Sequence, residues 1–230
     1  MPGAGGDTGH RYYGVAVSTF PDLLARRLAA NPGQPLVTFY DDATGERTEL
    51  SVKTYANWVA KTANLFVEEL MLDPGDDLRI DLPPHWLGAV FLGGLWTCGL
   101  SLDDTAPVAI VGPGTLDRPA ATTMACALLP FAARFPTALP DGILDHGVLW
   151  AGQSDVYSPM DATDLGAPDG NDDRVITDLN VLSETGQQLL KELVAGTGSL
   201  VLVAHVDEDR WPAHLESERA TVSVRAPELI

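Results

Sequence analysis

Residues 74–102, PGDDLRIDLPPHWLGAVFLGGLWTCGLSL, hold a turn, a short apolar strand, a proline-bounded helix start and an apolar run with recurring glycines. In Asp73-Pro74-Gly75-Asp76, proline sets φ and glycine admits the left-handed conformation, so this is a turn. Leu78–Leu82 then reads as a short central strand. Pro83–Pro84 opens a helix running through Trp86, Val90, Phe91 and Trp96 to Gly99. A strand passing into a helix in this way constrains the chain to an α/β arrangement, and the flanking segments extend the pattern.

Before this stretch, Met1–Val17 is polar and glycine-rich and is expected to be a mobile lead. Thr19 caps a helix whose apolar stripe is Phe20, Leu23, Leu24 and Leu28, stopped by Asn31-Pro32-Gly33. Leu36–Tyr40 and Arg47–Leu50 form a β-hairpin around a turn containing Gly45. Ser51 caps the next helix, with Tyr55, Trp58, Val59, Thr62, Phe66 and Leu70 facing inward.

After it, Pro107–Val111 is a strand and Ala120–Leu129 is expected to be helical as far as Pro130. Phe131–Pro168, with prolines at 136, 140, 159 and 168, is expected to be irregular, with one strand at Gly147–Trp150. Order returns with a strand at Arg174–Leu179 and a helix at Ser183–Ala195, stopped by Gly196. A buried strand follows at Leu200–Val206, then an acidic helix at Asp207–Glu218 with Trp211 and Leu215 inward, and a last strand at Thr221–Val224. The expected fold is α/β: a mainly parallel sheet flanked by helices, with an N-terminal β-hairpin, in a single domain over residues 18–230.

Charge bears on partners. The net charge is −18, from 32 acids against 14 bases, and Arg26–Arg27 is the only adjacent basic pair. Such a surface repels polyanions, so no nucleic-acid partner is expected. The apolar run Leu87–Leu102 is shorter than the ~20 residues of a membrane helix, and the small, glycine-rich start lacks a signal peptide's apolar core. No membrane partner is expected, and the location is expected to be cytoplasmic. Cys98 and Cys126 lie in apolar surroundings and are read as core thiols. No metal site is expected, since His205 and His214 lack a third ligand and no acidic segment has calcium-loop spacing.

Two glycine-containing turns are weighed as phosphate cradles. Gly112-Pro113-Gly114-Thr115 follows a strand, but Pro113 removes a donor and the third glycine of a dinucleotide loop is missing, so a plain turn is expected. Gly196-Thr197-Gly198-Ser199 ends a helix, the wrong end for an anion. Asp145, His146 and Ser154 supply the residue types of a hydrolase triad, without the Gly-x-Ser-x-Gly elbow. In open α/β sheets, ligands bind at the carboxyl ends of strands. That rule directs attention to Asp81, Pro83, His85 and Gly112 as a possible ligand pocket.

Thr19–Leu102 combines a helix ending in Asn31-Pro32, a hairpin with LVTFY, Leu50-Ser51 before a helix, PGDDLRI, Leu82-Pro83-Pro84 and LGAVFLGGLWTCGL. Together these resemble the N-terminal part of the adenylate-forming enzymes: acyl-CoA synthetases, peptide-synthetase adenylation domains and luciferases. Arg174–Val203, RVITDLNVLSETGQQLLKELVAGTGSLVLV, and Glu218-Arg219-Ala220-Thr221-Val222 resemble later segments of the same family. The resemblance implies a Ser/Thr/Gly-rich loop ending in Pro-Lys-Gly between the two pieces, where it would hold ATP phosphates. Here that interval has no such loop, and no lysine lies between Lys61 and Lys191. Asn180-Val181-Leu182-Ser183 stands where the family often has a histidine. The family's adenine-binding segment and its lid lysine would lie beyond Ile230.

The expectation is therefore a non-catalytic, truncated relative acting as a binding or interaction module. It would use no cofactor and have no catalytic residue, with a homodimer or protein partner and a residual nucleotide or acyl ligand as possible associates. Two alternatives stand beside it. One is a degenerate AMP- or acyl-binding enzyme or subunit of a split adenylating ligase; the other is an unrelated α/β hydrolase-like enzyme using His146 and Ser154.

Overall fold

The computed structural model describes residues 18–227; the expected mobile lead at 1–17 lies outside them. Helix α1 (Phe20–Ala30) starts at Thr19, which exchanges capping hydrogen bonds with Asp22. Strands β1 (Pro35–Asp41) and β2 (Glu46–Ser51) form the expected antiparallel hairpin, turned at Gly45 with φ +78°. Ser51 then caps α2 (Val52–Glu68), its hydroxyl accepting from the Thr54 amide at 3.1 Å.

Residues 74–102 fold as expected, into β3 (Asp77–Asp81) and α3 (Trp86–Thr97), followed by the two-residue β4 (Ser101–Leu102). Then come β5 (Val108–Val111), β6 (Thr122–Ala125), β7 (Ile143–Asp145) and the one-turn α4 (His146–Leu149). The chain closes with β8 (Arg174–Thr177), α5 (Glu184–Ala195), β9 (Ser199–Ala204), α6 (Trp211–Ser217) and β10 (Val222–Val224).

The strands make two sheets rather than one. Sheet 1 runs β10-β8-β9-β1-β2 and sheet 2 runs β4-β3-β5-β6-β7. Every described pair is parallel except β1–β2, so the α/β class and its parallel bias hold. One continuous core joins side chains of both sheets, among them Leu36 and Leu202 of sheet 1 with Leu78 and Ile110 of sheet 2.

Helix α3 is the hub of that core, with every residue from Trp86 to Thr97 buried. Its glycines allow α2 to approach closely. A Cβ on Gly93 would stand 2.6 Å from Val59 Cγ2, and one on Gly94 would stand 2.6 Å from Thr62 Cγ2. Among the described residues, no helix is long and apolar enough to cross a membrane.

Three local expectations are corrected. The segment 120–129 is not helical: Thr122–Ala125 is β6, paired with β5 from Val108↔Thr122 to Val111↔Ala125. Its β-branched Thr122-Thr123 suits a buried strand, and positive φ at Leu128, Phe131 and Ala132 interrupts any helix beyond it. Residues 147–150 are not a strand either; Asp145 caps α4 there, and the strand lies just upstream as β7. The last helix is shorter than expected, because residues 207–210 form a turn in which the Asp207 carbonyl accepts from Arg210 and Trp211.

Candidate functional site

The four residues singled out from the sequence do converge on one edge. Asp81 ends β3, Pro83 and His85 lead into α3, and Gly112 follows β5. The Gly112 amide donates to the Asp81 carbonyl at 3.2 Å, and Pro83 Cδ lies 3.6 Å from where a Gly112 Cβ would be. Thr115 folds back over this corner, its hydroxyl donating to the Asp81 carbonyl at 2.9 Å. Gly112–Thr115 is thus a strand-ending 3-10 turn, as the missing glycine and Pro113 predict.

The side chains at this edge are engaged with one another. The Asp81 carboxylate pairs with Arg118 at 2.6 Å, and Gly112 is buried against Leu82 and Leu128. His85 is the N-cap of α3: its Nδ1 accepts the Leu87 amide at 3.2 Å, which leaves the proton on Nε2. The ring lies against Phe39 and Trp86, and Nε2 has no partner among the described residues. Burial lowers the His85 pKa to about 4, against a weaker opposing pull from Asp41. The larger cavities open elsewhere, one of about 690 Å³ in the loop around Arg134–Val148 and one of about 700 Å³ beside Trp96 and Asp103.

The interval where the family resemblance implies a phosphate loop is tied down by the protein itself. The amides of Phe135 and Gly147 do converge, but on the carboxylate of Asp145, at 3.0 and 2.9 Å. Further along, Lys61 holds the Gln153 carbonyl and pairs with Asp155 at 3.1 Å. Asn64 donates to the carbonyls of Ser154 and Val156, both at 3.0 Å. The Thr163 and Leu165 amides then dock on the Trp96 and Ser18 carbonyls. Asn180, in the segment where the resemblance implies a histidine, donates to the Leu82 carbonyl at 2.9 Å and so joins the carboxyl ends of β8 and β3.

The hydrolase constellation does not assemble. His146 is buried, and burial lowers its pKa to about 3; Ser154 is exposed and accepts from the Val156 amide at 3.1 Å. With Asp145 occupied by amides, no nucleophile–base–carboxylate relay links the three. Cys98 and Cys126 are buried as expected, and burial pushes the Cys98 thiol up to about 11. Among the described residues, no group of three or more His, Cys, Asp or Glu gathers closely enough to hold a metal ion.

Sequence reasoning missed three polar clusters. Arg27, half of the only adjacent basic pair, is buried and donates to the carbonyls of Leu193, Gly196 and Gly198 at 2.6, 2.8 and 3.0 Å. The signal was its place on the apolar stripe of α1, four residues after Leu23. The histidines weighed as metal ligands instead pair with neighbouring acids: His205 with Asp41 at 2.9 Å, and His214 with Asp42 at 2.8 Å. His205 is exposed at a strand end, whereas His214 is buried. Third, the Glu218 carboxylate accepts from Tyr40, Arg47 and Arg174. Burial works to raise the Glu218 pKa, but these hydrogen bonds prevail and lower it.

Compared with solved structures, the chain has the fold of acyl-CoA synthetases. An acyl-CoA synthetase of Brucella canis superposes with a TM-score of 0.75 at 13% identity, over 92% of this chain and 48% of that one. The acetoacetyl-CoA synthetase of Streptomyces lividans gives 0.69 at 14% identity, over 91% and 42%. A fatty acyl CoA synthetase of Mycobacterium tuberculosis gives 0.67 at 9%, over 89% and 48%. The chain thus shares the fold of these acyl-CoA synthetases and spans about half their length. Among curated proteins, a "TIGR03089 family protein" of Mycobacterium tuberculosis is 41% identical over 136 residues, covering 54% of this chain and 56% of that protein. No protein-family model matches the chain.

Proposed function

We propose that this protein is a non-catalytic relative of the adenylate-forming enzymes, acting as a binding or interaction module. The observation that carries the reading is the segment 103–173, between the two stretches that carry the resemblance. Phosphoryl chemistry needs backbone amides and a cation around the polyphosphate. Here the amides of Phe135 and Gly147 are taken up by the protein's own Asp145 carboxylate. The lysine that should follow is absent from the sequence between Lys61 and Lys191. Lys61 itself is engaged with Gln153 and Asp155.

The test is pyrophosphate release by the purified chain, supplied with magnesium, ATP and a panel of short-, medium- and long-chain carboxylic acids. The expected result is no release above a protein-free blank with any acid. Acid-dependent pyrophosphate release, or exchange of labelled pyrophosphate into ATP, would overturn the reading.

A further inference from the structure

We propose that residues 153–161 form a strap that opens locally over the seam between α1 and α2, with Lys61 as its principal latch. The inference does not depend on the function proposed above. The strap is anchored at both ends. Trp150 stacks on Trp58 with ring centroids 3.6 Å apart, and the Thr163 amide donates to the Trp96 carbonyl at 2.9 Å.

Between these anchors the chain forms neither helix nor strand, and side chains of α2 tie it down. Lys61 donates to the Gln153 carbonyl, pairs with Asp155 at 3.1 Å and stands 5.3 Å from the centre of the Trp150 ring. Asn64 donates to the Ser154 and Val156 carbonyls, and the Gln153 carboxamide donates to Glu69, just past the end of α2, at 3.3 Å. The rest of the strap faces water, with Val156 73% and Met160 87% exposed. An irregular segment with few buried contacts opens without unfolding the domain. Lys61 makes the most of these ties, and its side chain is only 17% exposed, so its charge-assisted bonds are shielded from water.

The closed strap covers two features. One is a groove of about 260 Å³, walled by Leu24, Leu28, Ala56 and Ala60 of the two helices and by Val156 and Tyr157 of the strap. The other is Cys98, buried with its Sγ 3.6 Å from the Tyr157 hydroxyl. Lifting the strap removes Tyr157 and bares this thiol. Cys126 is fully buried after β6, its amide on the Val111 carbonyl, and stays covered until the domain unfolds.

The two thiols therefore report separately on the strap and on the whole fold. The test is labelling of the folded full chain with N-ethylmaleimide, each thiol followed by peptide mass spectrometry. Cys98 should label faster than Cys126. Lys61→Met, which keeps the apolar stem and removes the charge, should speed Cys98 about tenfold, as for the loss of one charge-assisted hydrogen bond, and leave Cys126 unchanged. Lys53→Met, at an exposed lysine in the first turn of α2, should label as the parent does. The proposal is overturned if the two thiols of the parent label at one rate, if Lys61→Met leaves the Cys98 rate unchanged, if it speeds both thiols equally, or if Lys53→Met has the same effect.

Discussion

His85 and His146 are both held far below an ordinary imidazole pKa, at about 4 and about 3, because burial penalises the charged ring. In the unfolded chain each returns to about 6.5. Above about pH 6.5 neither state binds these protons, so their contribution does not change with pH. Below it, the unfolded chain takes up protons that the folded chain refuses, and stability falls as pH falls towards the folded values. The slope approaches about 1.4 kcal/mol per pH unit for each histidine. The carboxylates with lowered pKa, Asp41 and Glu218 among them, add their loss only at lower pH, so the window between about 6.5 and 5 belongs to the histidines. Urea unfolding across this window should show the decline in the parent. It should be shallower in His85→Asn, which keeps a side chain able to cap α3, and in His146→Gln. A parent whose stability is level over that range would show that these rings take up protons without unfolding.

At the scale of elements, the contact that most depends on sequence is α2 against α3. Gly93 leaves room for Val59 and Tyr55; an added Cβ would stand 2.6 Å from Val59 Cγ2 and 2.7 Å from the Tyr55 hydroxyl. Gly93→Ala gains helix propensity of about 1 kcal/mol but overpacks a rigid seam at about 1–3 kcal/mol. The seam is buried on all sides, so overpacking should win and the midpoint of thermal unfolding should fall, by about 2–4 °C per kcal/mol. Val59→Ala in the same chain should return part of the loss, because the two sites touch. A Gly93→Ala protein as stable as the parent would show that the seam yields. These elements were legible because their signals are local: Thr19, Ser51 and Ser183 cap as read, and Pro83–Pro84 starts α3. Strand β6 was not, because four residues of TTMA carry no period and become a strand only by pairing with β5. The edge at Asp81 and Gly112 was legible as a place, but its closure by Arg118 comes from 37 residues away and leaves no trace in local pattern.

For the whole molecule, charge sets the response to solution. With 32 acids against 14 bases, repulsive pairs outnumber attractive ones. The bases are also heavily committed: Arg47 and Arg174 meet at Glu218, Arg210 pairs with Asp42, and Arg225 bridges Asp178 and Glu208. Salt weakens both kinds of interaction, but not equally. The pairs at Glu218 and Asp42 are partly buried and screened least, whereas the unpaired acids face water and are screened most. The screening length shrinks from about 30 Å at 0.01 M to about 8 Å at 0.15 M, a span that covers most acid–acid separations in a domain this size. Sodium chloride should therefore raise the melting temperature over that range and then add little, because compaction of a like-charged surface is relieved first. Differential scanning calorimetry across a sodium chloride series reads this. A melting temperature that falls as chloride is added would mean that the ion pairs, not the excess acids, govern the electrostatic part of stability.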